Sequence, residues 1–432
     1  MSQKKNGESS QNTVKPAVTA GLDIGTTKIC AIVAEPGENN DKLKILGIGI
    51  TESQGLNRGV VSNIDKTVKA IKTAIEQAEQ QSGLRIKDLV AGIAGDHIQS
   101  MTSRGIVGIA GQNREIAAAD VSRALEDSRK VALDSDREII HVIPQDYIID
   151  GQDGITDPVG MSGVRMEANV HIVTGRSTAI QNIHRCVERT GLSVKELILE
   201  PIASSRAILS EEEKEVGVAM IDIGGGTTDI AIFHENILRF SSVIGIAGRQ
   251  VTNDIRQGIG IIPAQAEKIK HNYGHAYHPS IMKDDVFMIP GIGGRKPTEV
   301  TKSYLCKIIQ PRIEEIFEFA LAEIRRSGFG SRLGAGIVIT GGSSLLRGAE
   351  DLAAEMFGMP VKLGIPAGIT YSGLAPEIES PVYSTAVGLA QYSVDQNQKN
   401  LTGPSSKKNS KKAKAAGKGN FFTRIKDFIE EL

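Results

Sequence analysis

The chain has 432 residues, 47 glycines, a formal net charge of -1 and a hydrophobic fraction of 40%. A chain of this length exceeds a single hydrophobic core, so we expect two or more domains. The near-neutral charge favours no particular partner, and an aromatic content of 4% without tryptophan disfavours a reader of nucleic acid by base stacking, so we expect no nucleic-acid partner.

The cysteines and the first residues bear on cellular location. Cys30, Cys186 and Cys306 are far apart, which disfavours a disulfide framework or a zinc site and favours a reducing cytosol. Residues 1–17 are polar, lack the apolar run of a secretory signal and are expected to be disordered. No uncharged apolar run approaches the roughly 20 residues that span a bilayer, so we expect any membrane contact to be peripheral.

A strand, a tight turn and a second strand open the folded region. Val18–Ile24 and Ile29–Ala34 are apolar and rich in β-branched residues, and the turn between them is Asp23-Ile-Gly-Thr-Thr-Lys28. The following segments predict a strand over Leu43–Ile50, a helix over Ser62–Gln80 that stops at Gly83, and a strand over Leu89–Ala94.

Residues 95–173 differ from the neighbouring segments in their residue pattern, which predicts a small inserted α+β unit. This segment has no glycine-rich turn of the phosphate-binding type, which sets it apart from the segments on either side. Its predicted elements are strands over His97–Ile109, Glu138–Ile149 and Met166–Val173, a helix over Glu115–Leu133 and a loop over Gly151–Gly163.

A second strand–turn–strand pattern lies at Ile221–Ile230, after a predicted helix (Thr178–Gly191), strand (Val194–Glu200) and short helix (Pro201–Leu209). Its turn holds Asp222, three glycines, two threonines and Asp229. Glycines let backbone N–H groups approach a ligand; amides and hydroxyls suit phosphate oxygens, and carboxylates suit hydrated Mg²⁺. Because the motif repeats that of Asp23–Lys28 at the head of a similar meander, we predict two related halves that face each other.

The remaining core segments predict mostly helices. Thr298–Ser327 is a long helical region in which Pro311 predicts a break or kink. The histidines His271, His275 and His278 have a spacing that suggests a metal site, but glycine and proline interrupt that helix, so a loop or surface role is favoured. The other predicted elements are a helix over Ala264–Asn272, a loop-rich stretch over His275–Gly294, a strand over Gly336–Ile339, a mostly helical stretch over Ser343–Phe357 and a last helix within Pro381–Tyr392.

The C-terminal region predicts a tethered helix. Residues 396–419 are rich in lysine, asparagine, serine and glycine and predict a disordered linker. Asn420–Leu432 then predicts a short amphipathic helix that should bind a membrane interface or a partner groove, since the soluble linker disfavours docking on its own chain. Its polar face is not cationic, so linker lysines would supply attraction to anionic lipid, at roughly 1 kcal/mol each. The apolar face consists of Phe421, Phe422, Ile425, Phe428, Ile429 and Leu432.

Three glycine-rich turns follow strands, at Asp23–Lys28, Asp222–Asp229 and Thr340–Ser344. The motifs of a Walker P-loop and of a Rossmann site are absent from the sequence. Over roughly residues 18–395 the arrangement resembles the actin/Hsp70/sugar-kinase ATPase superfamily. The resemblance implies an α/β actin-like ATPase fold of two duplicated halves, here with an inserted α+β subdomain and a C-terminal amphipathic helix. It also implies ATP and Mg²⁺ as cofactors.

The superfamily resemblance implies roles residue by residue. Asp23 and Asp222 would hold Mg²⁺ through water, and Glu200 would position the attacking water. The phosphates would face Gly25, Thr26, Thr27, Lys28, Gly224, Gly225, Gly226 and Thr227. Adenosine would lie against Glu267, Lys270, Gly341, Gly342 and Ser343, with a solvated ion pair as the alternative for the first two. No side chain resembles a strong general base, so at most slow ATP hydrolysis is expected, with nucleotide as a conformational switch.

Longer segments resemble the FtsA family of bacterial cell-division proteins. They are His141–Asp150, Asp157–Arg165, Leu199–Ser205, Val338–Gly342 and Tyr383–Gly388, and the small residues of the last would let the two halves pack closely. This resemblance implies a protein that polymerises, tethers filaments of tubulin-like FtsZ to the cytoplasmic face of the inner membrane at the division site, and recruits later division proteins. The implied subdomains are 1A (18–94, 174–210 and 382–395), 1C (95–173), 2A (211–244 and 326–381) and 2B (245–325).

The same resemblance implies that the acidic C-terminal tail of FtsZ binds subdomain 2B. Arg312 matches one basic position of that surface. A second basic position of the family is Thr298 here, which leaves Lys296, Lys302 and Lys307 as candidate substitutes.

Two alternatives share the fold. A pilus-assembly ATPase should lack the tethered terminal helix. A small-molecule kinase should carry a substrate-side carboxylate base and a large sugar-binding insertion, and neither is evident. A membrane-anchored, ATP-binding adaptor is therefore the favoured hypothesis.

Overall fold

The computed structural model describes residues 18–37, 43–110, 113–289, 296–371 and 378–402. The strands of these residues are β1 (Thr19–Ile24), β2 (Lys28–Pro36), β3 (Leu43–Glu52), β4 (Leu56–Asn57), β5 (Val60–Val61), β6 (Asp88–Ile93), β7 (Gln99–Gly108), β8 (Arg137–Ile149), β9 (Gln152–Ile155), β10 (Arg165–Arg176), β11 (Ser193–Leu199), β12 (Val218–Ile223), β13 (Thr228–His234), β14 (Ile237–Ile244), β15 (Val286–Ile289), β16 (Thr298–Thr301), β17 (Ile337–Thr340), β18 (Val361–Leu363) and β19 (Ile369–Tyr371). The helices are α1 (Ile64–Ser82), α2 (Ala118–Ser128), α3 (Ser177–Glu188), α4 (Glu200–Ile208), α5 (Glu211–Val216), α6 (Gly248–Ile259), α7 (Pro263–Tyr273), α8 (Lys302–Arg326), α9 (Ala349–Phe357) and α10 (Ser384–Thr402).

Two mixed sheets share one plan. The first has the order β11-β6-β1-β2-β3-β19, and the second has the order β14-β13-β12-β17-β18. In each, an antiparallel hairpin (β1–β2 or β12–β13) continues into a third antiparallel strand. A parallel strand, β6 or β17, lies on the other side of the hairpin's first strand. The repeated motif therefore marks a repeated sheet, as predicted.

A third sheet and α2 form the inserted unit. Its strand order is β7-β10-β8-β9, with β10 antiparallel to both neighbours. It buries its own apolar cluster, which includes Leu125, Met166 and Ile172. The insertion also contacts both halves, since His141 Nε2 accepts from the N–H of Leu199 (3.0 Å) and Gln145 Nε2 donates to Leu238 O (2.7 Å).

Helices cover the two main sheets and join them. Asn63 caps the start of α1, since its side chain accepts from the N–H of Lys66. The helix ends at Gly83 in the left-handed conformation, which is the stop that the sequence predicted. α4 and α10 cross so closely that a Cβ at Gly388 would overlap the carbonyl oxygen of Ala203. The small residues of this segment thus allow two helices to meet backbone to backbone beneath the cleft between the halves.

The structure corrects several predicted elements. Pro311 does not break α8, which is a single helix from Lys302 to Arg326, although the missing N–H leaves one turn without its backbone bond. Residues 298–301, predicted as helix, form β16, and β9 lies inside the predicted loop at 151–163. The helix predicted over Glu115–Leu133 spans only Ala118–Ser128. Helices α5 and α6 had no counterpart in the prediction.

The C-terminal boundary also moves. α10 continues to Thr402, so residues 396–402, predicted as linker, extend the last helix. The rest of that linker and the predicted helix over residues 420–432 lie outside the described residues. None of the helices in the described part of the chain is long and apolar enough to cross a bilayer.

Candidate functional site

A cleft of about 1000 Å³ lies where the turns of the two hairpins face each other. Both turns line it, together with the start of α4, parts of α6 and α7, the turn after β17 and the segment before α10. The phosphate, metal and adenosine residues predicted from the sequence all lie in this lining. Arg312 lies elsewhere.

The two turns interlock. A Cβ at Gly225 would overlap Thr27 Cγ2, and a Cβ at Gly226 would overlap Thr26 Oγ1. Thr26 is buried and its Oγ1 accepts from the N–H of Gly59 (3.0 Å), whereas Thr27 is exposed. The glycines of the second hairpin therefore also make room for the threonines of the first.

Four carboxyl groups converge on the cleft. Asp23, Asp222 and Asp229 are buried, and Glu200 is half-buried at the start of α4. Burial raises the pKa of Asp222 to about 6, against an opposing hydrogen bond from Ser204. Burial, and next the neighbouring carboxylates, raise the pKa values of Glu200 and Asp229 well above their usual range. Among the described residues, Asp23 is the one member of this group that pairs with a cation, Lys28.

The predicted counter-charge Lys28 is already engaged. Its Nζ lies 3.2 Å from Asp23 Oδ2, donates to Val382 O (2.8 Å) and lies 4.8 Å from the centre of the Tyr383 ring. Burial, the largest single influence, would lower the pKa of Lys28, but the charge and hydrogen bond of Asp23, together with Cys30 and Tyr383, outweigh it and raise the pKa. Lys28 therefore balances its own hairpin and ties it to the segment before α10.

The acid residues fit a hydrated cation. Asp229 Oδ1 is buried and has no hydrogen-bond partner among the described residues. That part of the chain contains no cluster of three His, Cys, Asp or Glu side chains close enough for direct metal ligation. Mg²⁺ keeps several of its waters when bound, so carboxylates that reach it through water suit its chemistry.

The predicted adenosine side of the cleft lies on α6 and α7. Lys270 is buried, lies 2.8 Å from Glu267 Oε1 and donates to Thr252 Oγ1 (2.9 Å). Burial would raise the pKa of Glu267, but the hydrogen bond from His271, the charge and hydrogen bond of Lys270 and the hydrogen bond from Thr252 together outweigh it and lower that pKa to about 2. The i,i+3 ion pair is therefore present, with Lys270 buried and the Glu267 side chain 40% exposed, and the adenosine role of the two residues stays a prediction.

The third glycine-rich turn supports the second hairpin. Gly341 has φ +84°, and a Cβ there would overlap Asp222 Oδ1. Ser343 Oγ donates to the carbonyl oxygen of Gly224 (2.9 Å). Gly342 is exposed beside the cleft. This turn therefore holds the carboxylate and the backbone of the second hairpin while it lines the predicted adenosine pocket.

Sequence reasoning missed several residues that line the cleft or lie behind it. Ser204 Oγ donates to Asp222 Oδ2 (2.7 Å) and lies 2.9 Å from Thr385 Oγ1, and Arg249 Nη2 donates to Thr26 O (3.1 Å). Arg249 and Thr252 were missed because α6 was not predicted. The apolar pair Val251 and Ile255 at an i,i+4 spacing was the available signal.

Arg312, predicted to contact an acidic peptide, is engaged within the chain. Its Nε and Nη2 donate to Asp254 (2.6 and 3.1 Å), and its Nη1 pairs with Glu315. Of the candidate substitutes, Lys302 lies 2.6 Å from Asp285, while Lys296 and Lys307 are exposed. An acidic partner would have to compete for Arg312 with Asp254 and Glu315, whereas no ion pair between described residues engages the two exposed lysines.

Comparison with known proteins gives consistent matches. The family model described as cell division protein FtsA matches residues 219–388, and that described as SHS2 domain inserted in FTSA matches residues 95–174. Cell division protein FtsA of Pseudomonas aeruginosa is 45% identical over 382 residues, which cover 88% of this chain and 90% of that protein. The Neisseria meningitidis serogroup B protein of the same name is 40% identical over 95% of this chain and 97% of its own length. That of Escherichia coli K12 is 38% identical over 87% of this chain and 90% of its own length.

Solved structures match at the level of the fold. The PilM–PilN type IV pilus biogenesis complex matches with a TM-score of 0.63 and 16% identity, covering 87% of this chain and 98% of that chain. MreB5 of Spiroplasma citri bound to ADP matches with a TM-score of 0.55 and 14% identity, covering 89% of this chain and 98% of that chain. The predicted actin-like fold with an inserted subdomain is confirmed.

Proposed function

The chain belongs to the FtsA family of cell division proteins, and on that premise we propose that it binds Mg-ATP in the cleft between its two hairpins. Bound nucleotide would act as a conformational switch in a polymer of this chain. The polymer would hold FtsZ filaments at the cytoplasmic face of the bacterial inner membrane and recruit later division proteins. The relatives named above are all cell division proteins, which favours this reading over pilus assembly or small-molecule phosphorylation.

The observation that carries the nucleotide proposal is the pair of interlocked hairpins around an excess of buried carboxylates. Backbone N–H groups of both turns and the hydroxyls of Thr26, Thr27 and Thr227 would bind phosphate oxygens. Asp23, Asp222 and Asp229 would hold hydrated Mg²⁺, which neutralises phosphate charge when bound.

The residues of the cleft support slow hydrolysis at most. Glu200 would orient the attacking water, and burial raises its pKa well above the usual range. A carboxyl group that holds its proton more tightly is less often available as a base. This chain's contribution is therefore to bind, align and exclude bulk water, which suits a switch better than rapid turnover.

Titration with a fluorescent ATP analogue in Mg²⁺ tests the nucleotide proposal. Asp222→Ala should weaken binding by at least about tenfold, because it removes a charge-assisted contact to the hydrated metal. Asp157→Ala is the matched control, since Asp157 is an exposed aspartate of the insertion. Equal affinity of the Asp222 variant and the wild type would exclude the second hairpin as part of the site.

The membrane proposal rests on the amphipathic pattern of residues 420–432, which lie outside the described residues. Deletion of this segment should abolish co-sedimentation with anionic vesicles and leave nucleotide binding unchanged. Vesicles of neutral lipid should bind the full chain more weakly, because the linker lysines then lack a partner. Retained vesicle binding after the deletion would contradict the proposal.

The FtsZ proposal places the acidic tail of FtsZ on residues 245–325. Because Arg312 is engaged by Asp254 and Glu315, the exposed Lys296 and Lys307 would supply the available positive charge. Lys307→Glu should weaken binding of a fluorescent FtsZ tail peptide, measured by anisotropy, more than Lys72→Glu on the distant α1 surface does. Equal effects of the two charge-reversal substitutions would remove the support for placing the FtsZ tail on residues 245–325.

A further inference from the structure

Arg249 joins the two hairpins. It is the second residue of α6, and its backbone N–H donates to the carbonyl oxygen of Gly225 (2.8 Å). Its Nη2 reaches across the cleft and donates to the carbonyl oxygen of Thr26 (3.1 Å). One residue thus bonds the second hairpin through its backbone and the first hairpin through its side chain.

Two arginines, Arg249 and Arg347, line the cleft, and burial and contacts with both hairpins single out Arg249. Lys28 pairs with Asp23, and Lys270 pairs with Glu267. Arg249 is half-buried and takes part in none of the ion pairs between described residues; its side chain bonds a neutral carbonyl oxygen. A guanidinium presents several donors in a plane that matches phosphate oxygens, and it binds an anion more strongly than a carbonyl.

We infer that Arg249 distinguishes a nucleoside triphosphate from a diphosphate in this cleft. With a triphosphate bound, its guanidinium leaves Thr26 O and binds the terminal phosphate beside the first hairpin. With a diphosphate bound, it keeps the bond to Thr26 O. The inference rests on the proposed nucleotide site and assigns a residue through which that site senses the terminal phosphate.

The position of Arg249 explains how such a change could be transmitted. Arg249 lies one turn before Thr252 in α6. The hydroxyl of Thr252 accepts a hydrogen bond from Lys270 and donates one to Glu267 on the adenosine side. Gly248, at the start of the same helix, donates its N–H to Gly224 O (3.1 Å). A shift of the guanidinium therefore acts on a helix that contacts both the phosphate turns and the adenosine pocket.

Binding of fluorescent ATP and ADP analogues, each with Mg²⁺, tests the inference in the full chain. Arg249→Gln should weaken ATP binding roughly tenfold or more, because a bond to a charged phosphate is lost, and ADP binding by less than about threefold. Arg249→Lys keeps the charge but not the planar donors, so its ATP-to-ADP affinity ratio should lie between those of wild type and Arg249→Gln.

Arg347→Gln is the matched control. Arg347 is also a cleft-lining arginine, but it is exposed and bonds neither hairpin, so its loss should change ATP and ADP affinities by the same factor. Equal losses of ATP and ADP affinity in Arg249→Gln would overturn the inference and leave the nucleotide site standing. Absence of binding by wild type would instead remove the proposed site itself. Should Arg249→Gln fail to fold, an ATP-to-ADP ratio in Arg249→Lys equal to that of wild type would overturn the inference.

Discussion

The two hairpins have nearly the same sequence motif, but their carboxylates differ in whether a cation of the chain pairs with them. In the first, Asp23 lies 3.2 Å from Lys28, so the turn carries its own counter-charge. In the second, Asp222 and Asp229 have no cation of the chain within ion-pairing distance among the described residues, and burial raises the pKa of both. The first hairpin is therefore balanced before any ligand arrives, whereas the second is not.

Hydroxyl groups partly replace the missing cation. A serine hydroxyl has one hydrogen, and Ser204 gives it to Asp222 Oδ2 (2.7 Å), so Thr385 must be the donor in its 2.9 Å contact with Ser204. This chain of hydrogen bonds links α10 through α4 to the second hairpin. Asp229 Oδ1 has no such partner within the described ranges of the chain. The difference teaches that the two copies of a duplicated turn can have different roles. One copy is neutralised by its own ion pair, and the other depends on a ligand to neutralise its charge.

The largest expected effect is a difference in stability between asparagine variants of the two hairpins. Asp23→Asn should lower the free energy of unfolding of the nucleotide-free chain by about 3–5 kcal/mol, because it leaves Lys28 without its partner. Asp222→Asn should raise the free energy of unfolding, because the substitution removes a buried charge that no cation among the described residues pairs with. Chemical denaturation at pH 7.5 without Mg²⁺ measures both.

A rescue variant controls this experiment. Lys28→Met in the Asp23→Asn background removes the stranded charge and should recover most of the lost stability. Destabilisation of similar size in both single asparagine variants would mean that the two hairpins are electrostatically alike.

The next effect concerns pH. A carboxyl group whose pKa is raised by folding binds its proton more tightly in the folded chain. The contribution of Asp222 to stability is therefore fully present below its ordinary pKa of 3.8 and is lost as the pH rises through about 6. This change corresponds to up to roughly 3 kcal/mol.

Unfolding free energies between pH 7.5 and 5 without Mg²⁺ test the pH dependence. The stability advantage of Asp222→Asn over wild type should shrink as the pH falls through 6, because the wild-type carboxyl then takes up its proton. An advantage that stays constant over this range would show that Asp222 does not titrate there.

A smaller effect tests the interlocking of the turns. Gly225→Ala should destabilise the chain by about 1–3 kcal/mol, because its Cβ would overlap Thr27 Cγ2. Thr27→Ala should relieve part of this cost, so the double variant should lose less stability than the sum of the single variants. Gly224→Ala is the control, since a Cβ there would meet a single atom, Thr227 O at 3.2 Å.

The sequence was sufficient for features that depend on neighbouring residues. The hairpins were predicted because apolar strands flank each turn, and the helix α1 because its apolar period and the stop at Gly83 agree. The duplication followed from the repeated motif. Each of these signals lies within a few residues of the element that it predicts.

Features that depend on distant residues were not predictable in this way. The environment of Asp222 is set by Ser204 and Thr385, which are far from it in the chain, and the role of Gly225 is set by Thr27 in the other half. α8 runs through Pro311 because packing of its buried face outweighs the loss of one backbone bond. Tertiary packing determines the environments of Asp222, Gly225 and Pro311, and no local sequence pattern indicates that packing.

The smallest effect concerns the hydroxyl chain behind the second hairpin. Ser204→Ala removes the hydrogen bond that opposes the raised pKa of Asp222, so that pKa should rise further above 6, with a stability change of about 1 kcal/mol at neutral pH. The pH at which Asp222→Asn loses its advantage should move upward when both chains carry Ser204→Ala. Thr385→Val should move it less, because Thr385 Oγ1 is 3.5 Å from the carboxylate and acts mainly through Ser204. If Thr385→Val shifts the midpoint more than Ser204→Ala does, α10 would control the charge of the second hairpin directly, and the order of donors inferred here would be reversed.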